Sequence, residues 1–240
     1  MDHSLIPEKY RIFSGSILKV IAVVTMLIDH IGYALLYRNP IPLFTVLGRT
    51  VTLYAVCRGI GRIAFPIFAF LLVEGFLHTR DRKRYAIGLG VFALLSEIPH
   101  DLMTHRVLLE ISEQNIFFSL LLGLLGIWTI ERFSDRPLRM TALLLALLAG
   151  SFVFRVDYKI SGFCFILLLY VLRDRPILRA VIGTGVLSST WKAGLAFVPI
   201  ALYNGKRGFI KGRILKYAFY LFYPVHLLIL YWIGRSIYGV

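Results

Sequence analysis

The chain has 240 residues, 58% of them apolar and 17% charged, with a mean hydropathy of +0.75. A soluble domain carries about 25% charge and about 45–50% apolar residues, so the composition excludes an ordinary soluble enzyme and indicates an all-α, polytopic membrane bundle forming a single domain over residues 1–240. A net charge of +14 would suggest a nucleic-acid partner in a soluble protein, but here the basic residues sit in short clusters between apolar runs, which is the positive-inside pattern and argues against nucleic acid.

The leading residues, MDHSLIPEKYRIF, carry acids and no small-residue cleavage site, so the first apolar run is expected to be retained. Nine apolar segments follow, at 16–37, 54–77, 85–104, 115–131, 138–154, 159–172, 177–191, 193–204 and 214–236. They predict about nine transmembrane helices, although several are shorter than the roughly 20 residues of a full span. With the N-terminus in the cytoplasm, well over half of the 27 basic residues fall on the cytoplasmic side. This predicts a multi-pass protein of a bacterial inner membrane. The longest outer loop is expected from Asn39 to Thr52. Cys57 and Cys164 lie in different segments and support neither a disulfide framework nor a metal site.

Helix one carries Lys19, Asp29 and His30. Ionisable groups inside a membrane helix are costly and mark functional sites. Eleven residues separate Lys19 from His30, about 16 Å and close to three turns, so both share one face. Asp29 points about 100° away from His30 and is expected to pair with an arginine of another helix. Helix two offers Arg58 and Arg62 one turn apart, with Gly59 and Gly61 permitting close helix approach and Pro66 able to kink the helix. Their candidate partners are Asp29, Glu97 and Asp101. Helix three ends in Ser96, Glu97, His100 and Asp101. Asn115 and Asp157 read as N-caps of the fourth and sixth helices. Lys19 lies near the cytoplasmic end of its helix, whereas His30, Arg62, Glu97, Asp101, Asn115 and Asp157 fall near outer helix ends and predict one outer-facing polar chamber. His226 follows Pro224 in an aromatic stripe and reads first as a structural histidine.

Two dense basic loops, HTRDRKRY and NGKRGFIKGR, are able to grip phosphates through Lys, Arg and backbone N–H groups. Plain positive-inside topology and contact with anionic lipid are the simpler alternatives. No P-loop, Rossmann fingerprint, HExxH or GxSxG is present.

Several stretches in chain order, LKVIAVVTMLIDHIG, GRIAFPIFAFLLVEGFLHT, ALLSEIPHDL, QNIFFSLLLGLLG and FYPVHLL, together with the segment from Asp157 to Gly162, resemble the TraX family of F-pilin acetylation proteins. The Lys19-x10-His30 spacing resembles, more distantly, the R/K-x10-H signature of the acyltransferase-three family. Arg62 with the aromatic segment after it, and the closing YPVHL, are similar to other parts of that family. The resemblance implies acetyl transfer from cytoplasmic acetyl-CoA, as co-substrate, to an amine or hydroxyl at the outer face. His30 would be the catalytic histidine and Lys19 its signature partner. The acceptor is expected to be a small-molecule amine or a peptide N-terminus. Arg62 is the expected oxyanion stabiliser, with Asp29 and Arg58 orienting the site. Lys19, Arg82, Lys83, Arg84, Lys206 and Arg207 are expected to hold the coenzyme. Arg58, Glu97, Asp101, Asn115 and Asp157 are expected to face the acceptor, with no metal; homo-oligomerisation stays open. Two rival readings are a proton-coupled transporter, whose intramembrane acids and histidines form a relay, and a structural pilus or secretion assembly protein.

Overall fold

The computed structural model describes residues 6–239. Ten helices account for most of them: α1 Gly15–Ile31, α2 Leu53–Gly61, α3 Ala64–His78, α4 Arg82–Thr104, α5 Ile116–Arg132, α6 Pro137–Val153, α7 Lys159–Val171, α8 Pro176–Val186, α9 Phe197–Ala201 and α10 Gly212–Tyr238. A π-helical turn, Gly32–Leu36, continues α1, and a 3-10 stretch, Ser188–Ala196, precedes α9. Four segments among the described residues are long and apolar enough to cross a membrane: Gly15–Leu36, Leu53–His78, Arg82–Thr104 and Ile214–Tyr238. The helices α5 to α8 run 11 to 17 residues, at most about 26 Å at 1.5 Å per residue, against a hydrocarbon core of about 30 Å.

Helix starts follow local chemistry. Asp81 caps α4 by accepting from the Arg84 N–H at 2.8 Å, and Asn115 caps α5 by accepting from that of Phe117 at 3.0 Å. The helices α6 and α8 each open with proline after an Asp-Arg pair, Asp135-Arg136-Pro137 and Asp174-Arg175-Pro176. The two arginines share nearly the same backbone angles, φ −130° and −128°. Proline has no N–H to satisfy and its fixed φ suits the first helical position, so one turn design is used twice.

The segment expected as a single second helix is two helices. The break falls at Arg62–Ile63, between Gly61 and Ala64. Pro66 has no N–H to donate to the carbonyl four residues earlier, that of Arg62, and its ring crowds it. The expected outer loop also holds more structure than a loop. Strands β1 Pro42–Val46 and β2 Arg49–Thr52 form an antiparallel hairpin turned by Leu47 and Gly48, both at positive φ (49° and 73°). That is a two-residue primed turn, for which Gly48 and the β-branched run Thr50-Val51-Thr52 were the available signals.

The core centres on α3, which is apolar around its circumference except for Glu74 and buries most of its residues from Ala64 to Phe76; a helix apolar nearly all round belongs inside a bundle. Close helix contacts rest on glycine. A Cβ on Gly123 of α5 would run into Ile166 of α7, and one on Gly126 into Leu167 and Phe163. The helix α6 lies outside, with only Ser151 buried.

The bundle has two distinct ends. At one, the loop 203–211 straps the start of α1: Gly15 N–H donates to Lys206 O at 2.8 Å and Ser16 N–H to Arg207 O at 3.0 Å. The Ser16 hydroxyl donates to Arg207 O at 2.8 Å and accepts from Ile210 N–H at 2.7 Å. At the other end, the loop after α4 meets the turn before α7, where Gln114 N–H donates to Arg155 O at 3.1 Å and Asp157 N–H to Gln114 O at 3.0 Å. Tyr33 ties the π-helical turn to α4 by donating to Thr104 O at 3.2 Å, and Tyr238 ties α10 to the same turn by donating to Leu35 O. The second end carries His30, Asp29, Arg58, Arg62, Glu97, Asp101 and Asp157.

Candidate functional site

His30 sits on the last regular turn of α1, just before the π-helical turn. Helix α10 runs beside this segment and brings His226 to it. His30 Nδ1 and His226 Nε2 are 2.6 Å apart, and the rings stack with centroids at 4.9 Å. His226 Nδ1 lies 2.7 Å from the Phe222 carbonyl oxygen, one turn back on α10. A carbonyl only accepts, so Nδ1 of His226 carries the proton and its Nε2 accepts. His30 Nδ1–H is then the donor in the histidine pair, and His30 Nε2 keeps a free lone pair. The chain Phe222 C=O, His226, His30 thus ends in a basic nitrogen whose partner ring fixes both its tautomer and its orientation.

Phe222 stacks on His226 with centroids at 4.7 Å, and Tyr223 stands edge-on to both histidines, at 5.8 Å from His226 and 6.1 Å from His30. Tyr223 is buried and hydrogen-bonds to the backbone of Ile116 at the start of α5. It also stands within electrostatic reach of Asp157, Glu97 and Asp101, so it joins the histidines to the acids of the neighbouring helices.

Of the three acids offered to Arg58, the structure selects Asp29, with Arg58 Nη1 donating to Oδ2 at 2.5 Å. Gly61 makes this pairing possible, since a Cβ there would occupy the space of the Asp29 side chain. Arg62 turns instead to the opening of α7. It hydrogen-bonds to the Tyr158 phenol and feels the carboxylates of Asp157 and Asp29. Arg62, Asp157 and Tyr158 line one cleft of about 450 Å³. Burial pushes the Asp157 carboxyl up to about 6 against the opposing pull of Arg62, and burial, reinforced by Asp157, pushes the Tyr158 phenol upward. Asp157 is not the cap of α7. The chain passes through two left-handed residues, Tyr158 (φ 60°) and Lys159 (φ 45°), and the helix begins at Lys159. Asp157 is held instead through its backbone, its carbonyl accepting from the Ser119 hydroxyl.

Glu97 and Asn115 pair across α4 and α5. The Asn115 amide donates to Glu97 Oε2 and, at 2.8 Å, to Ala93 O. Asp101 is fully buried, accepting from Glu110 N–H at 2.8 Å and facing His100 Nδ1 at 3.4 Å. Among the described residues, Glu97, His100 and Asp101 place ligand atoms within 4.8 Å of one another, close enough to hold a cation. Two of the three already serve to fix the α4–α5 connection. The expected acceptor-facing group therefore divides: Asp157 opens to the cleft with Arg62, while Glu97, Asp101 and Asn115 are buried in structural bonds.

At the strapped end, Lys19 is half-buried one turn into α1, within electrostatic reach of Arg207 and Lys216. One expected basic loop thus gathers with Lys19. In the other, Arg82 pairs with Glu131 of α5 at 2.6 Å and lies over the Phe76 ring at 4.7 Å, so it braces α4 against its neighbours, while Lys83 and Arg84 are exposed.

The chain matches the TraX protein family over residues 14–234. It belongs to the TraX family. The match takes in both ends of the bundle, from Lys19 to His226. Among curated proteins, the chain is 29% identical over 248 residues to one from Dichelobacter nodosus named "Probable fimbrial assembly protein FimC, serogroup H1". The alignment covers 91% of this chain and 94% of that protein. No solved structure matches. The sequence of this TraX-family chain reads His226 first as a structural histidine and does not single out Tyr158 or Tyr223; the structure places His226 and Tyr223 beside His30 and Tyr158 beside Arg62. The Tyr-Pro-Val-His segment is the signal that could have found His226 and Tyr223.

Proposed function

We propose that this TraX-family chain is a membrane acetyltransferase whose base is His30 Nε2. The observation that carries the reading is the oriented His226–His30 pair, with Arg58 and Arg62 acting electrostatically on His30 from α2 and its end. Acetyl-CoA would approach from the end where Lys19, Arg207 and Lys216 gather, its thioester reaching toward His30 along α1. An acceptor amine enters through the Arg62–Asp157 cleft. Its nitrogen attacks the thioester carbonyl carbon as His30 Nε2 takes the N–H proton. Arg62 stabilises the oxyanion. When the C–S bond breaks, the proton passes from His30 to the departing thiolate, leaving amide and CoA thiol. A variant path, in which His30 Nε2 itself carries the acetyl group, uses the same lone pair.

The donor enters from the cytoplasm and the acceptor from the outer face, in an arrangement of about nine helices, the shorter ones crossing with local adjustment of the bilayer. The N-terminus lies in the cytoplasm and the membrane is the bacterial inner membrane. The acceptor is an amine, or a peptide N-terminus.

The deciding experiment supplies the purified chain with labelled acetyl-CoA and a panel of amines, with and without His30→Ala. Transfer that depends on His30 supports the reading; transfer that survives the substitution removes His30 from it, and an absence of thioester turnover with every acceptor removes the enzyme. The relative's name favours one second reading, a fimbrial assembly role without chemistry. That reading predicts intact pilus assembly in a His30→Ala strain.

A further inference from the structure

The last turns of α4 carry three potential metal ligands on one face. Glu97, His100 and Asp101 stand at i, i+3 and i+4, the spacing that brings side chains together on successive turns. Each offers a ligand atom within 4.8 Å of the others. Glu97 is only 9% exposed, and its Oε1 is buried without a hydrogen-bond partner. A buried carboxylate oxygen with nothing to accept from is costly. Asp101, fully buried and within electrostatic reach, adds a like charge to that cost. Among the described residues, neither acid forms an ion pair with a lysine or an arginine. One cation held between them would answer both deficits.

The bonds these groups already make leave the cluster open to an ion. The Asn115 amide occupies Glu97 Oε2, and the Glu110 N–H occupies Asp101 Oδ2. The other oxygen of each carboxylate remains. Glu97 Oε1 has no partner, and Asp101 Oδ1 faces His100 Nδ1 at 3.4 Å. That separation is long for a hydrogen bond. It matches the spacing of two donors on one tetrahedral ion with bonds of about 2.0–2.2 Å. Asn115 and Glu110 would then be the outer contacts that orient ligating carboxylates. The His100 side chain is 15% exposed and gives the ion a way in, with water able to complete its shell. One imidazole with two carboxylates suits Zn²⁺ better than Mg²⁺ or Ca²⁺, which take oxygen shells. The cluster has none of the spaced His and Cys pairs that announce a metal in a sequence, so no metal is expected from the residues alone.

We propose that Glu97, His100 and Asp101 bind one Zn²⁺ ion, which ties the end of α4 to the start of α5. The site is structural and independent of the acetyl-transfer reading.

The test uses the full chain in detergent, freed of any affinity tag, stripped with EDTA, offered Zn²⁺ and desalted. One zinc per chain is expected by plasma mass spectrometry, undisplaced by excess Mg²⁺, with a Tm above that of the stripped chain. Zinc-edge X-ray absorption is expected to show one imidazole among oxygen ligands. His100→Ala alters a partly exposed side chain, and Glu97→Gln can still accept from Asn115. Both are expected to weaken zinc binding at least about tenfold in competition with a chelating dye. His30→Ala is expected to keep the zinc, which separates this site from the histidine pair. A stripped chain that takes up no zinc overturns the assignment, as does zinc kept at full affinity in His100→Ala and Glu97→Gln. An absorption spectrum with two or more imidazoles also overturns it, and that spectrum reads the unaltered chain, so it decides even where a variant does not fold.

Discussion

His30 and His226 illustrate how one short contact fixes the direction of a hydrogen bond. Neither residue's protonation can be read from its own position, but the Phe222 carbonyl at the far end of the chain admits only a donor, and the rest follows. Removing His226 leaves His30 Nδ1–H without its acceptor and the ring free to turn. His226→Ala is expected to lower kcat for acetyl transfer by about a hundredfold with KM for acetyl-CoA unchanged. His226→Gln, whose amide oxygen can accept the same proton, is expected to recover part of the loss; equal defects in the two variants would count against the orienting role. Asp157 gives a prediction with a definite sign. Its folded value, about 6, stands above the ordinary 3.8. Between those values the folded chain holds a proton that the unfolded chain does not. Its contribution to stability is therefore fully present below the lower value and declines as pH rises through the upper one. Thermal unfolding in detergent is expected to show that decline, and Asp157→Asn to flatten it.

Two elements are set by glycines whose neighbours leave no room for a side chain. Gly61 ends α2 where Asp29 of α1 fills the space a Cβ would take. Gly61→Ala is expected to push α1 and α2 apart, break the Asp29–Arg58 pair and destabilise the fold by about 1–3 kcal/mol, read as a lowered Tm together with lost transfer. Gly208 lies in the strap at φ 84°, where an added Cβ would enter the hydroxyls of Ser14 and Ser16. Because the strap carbonyls already satisfy the first N–H groups of α1, that helix start is closed to phosphate. On the proposed acetyl-transfer reading, a grip on the coenzyme at this end would come from the Lys19, Arg207 and Lys216 side chains. Gly208→Ala is thus expected to raise KM for acetyl-CoA severalfold while leaving kcat near its original value, measured by steady-state kinetics. A fall in kcat at constant KM would separate the strap from donor binding.

At the scale of the whole molecule, the ends differ in kind: one is strapped and basic, the other holds paired histidines, acids and a small cavity lined by three arginines. Positive-inside orientation predicts which end faces the cytoplasm. A cysteine placed at Leu47, which is 99% exposed on the β1–β2 turn, is expected to react with a membrane-impermeant maleimide in intact cells lacking the native cysteines. One placed at Lys206 is expected to react only after the membrane is opened. The reverse pattern would invert the topology and with it the donor and acceptor sides.

The sequence by itself determined the membrane class, the order of apolar segments and most of the polar residues, because hydropathy, proline and charge are local properties that survive in one dimension. It also marked Lys19 and His30 on a shared face, since both lie on one unbroken helix. Helix lengths were less legible: Pro66 moved a break four residues upstream to Arg62, and Gly48 turned a supposed loop into a hairpin. Partner choice lay beyond the sequence altogether. Arg58 had three acids to choose from, and 196 residues separate His30 from His226. Only the packing of α1 between α2 and α10 decided that Asp29 takes Arg58 and that His30 meets a second histidine, because hydrogen bonds act over about 3 Å and nothing in a linear chain fixes distances of that size between remote helices.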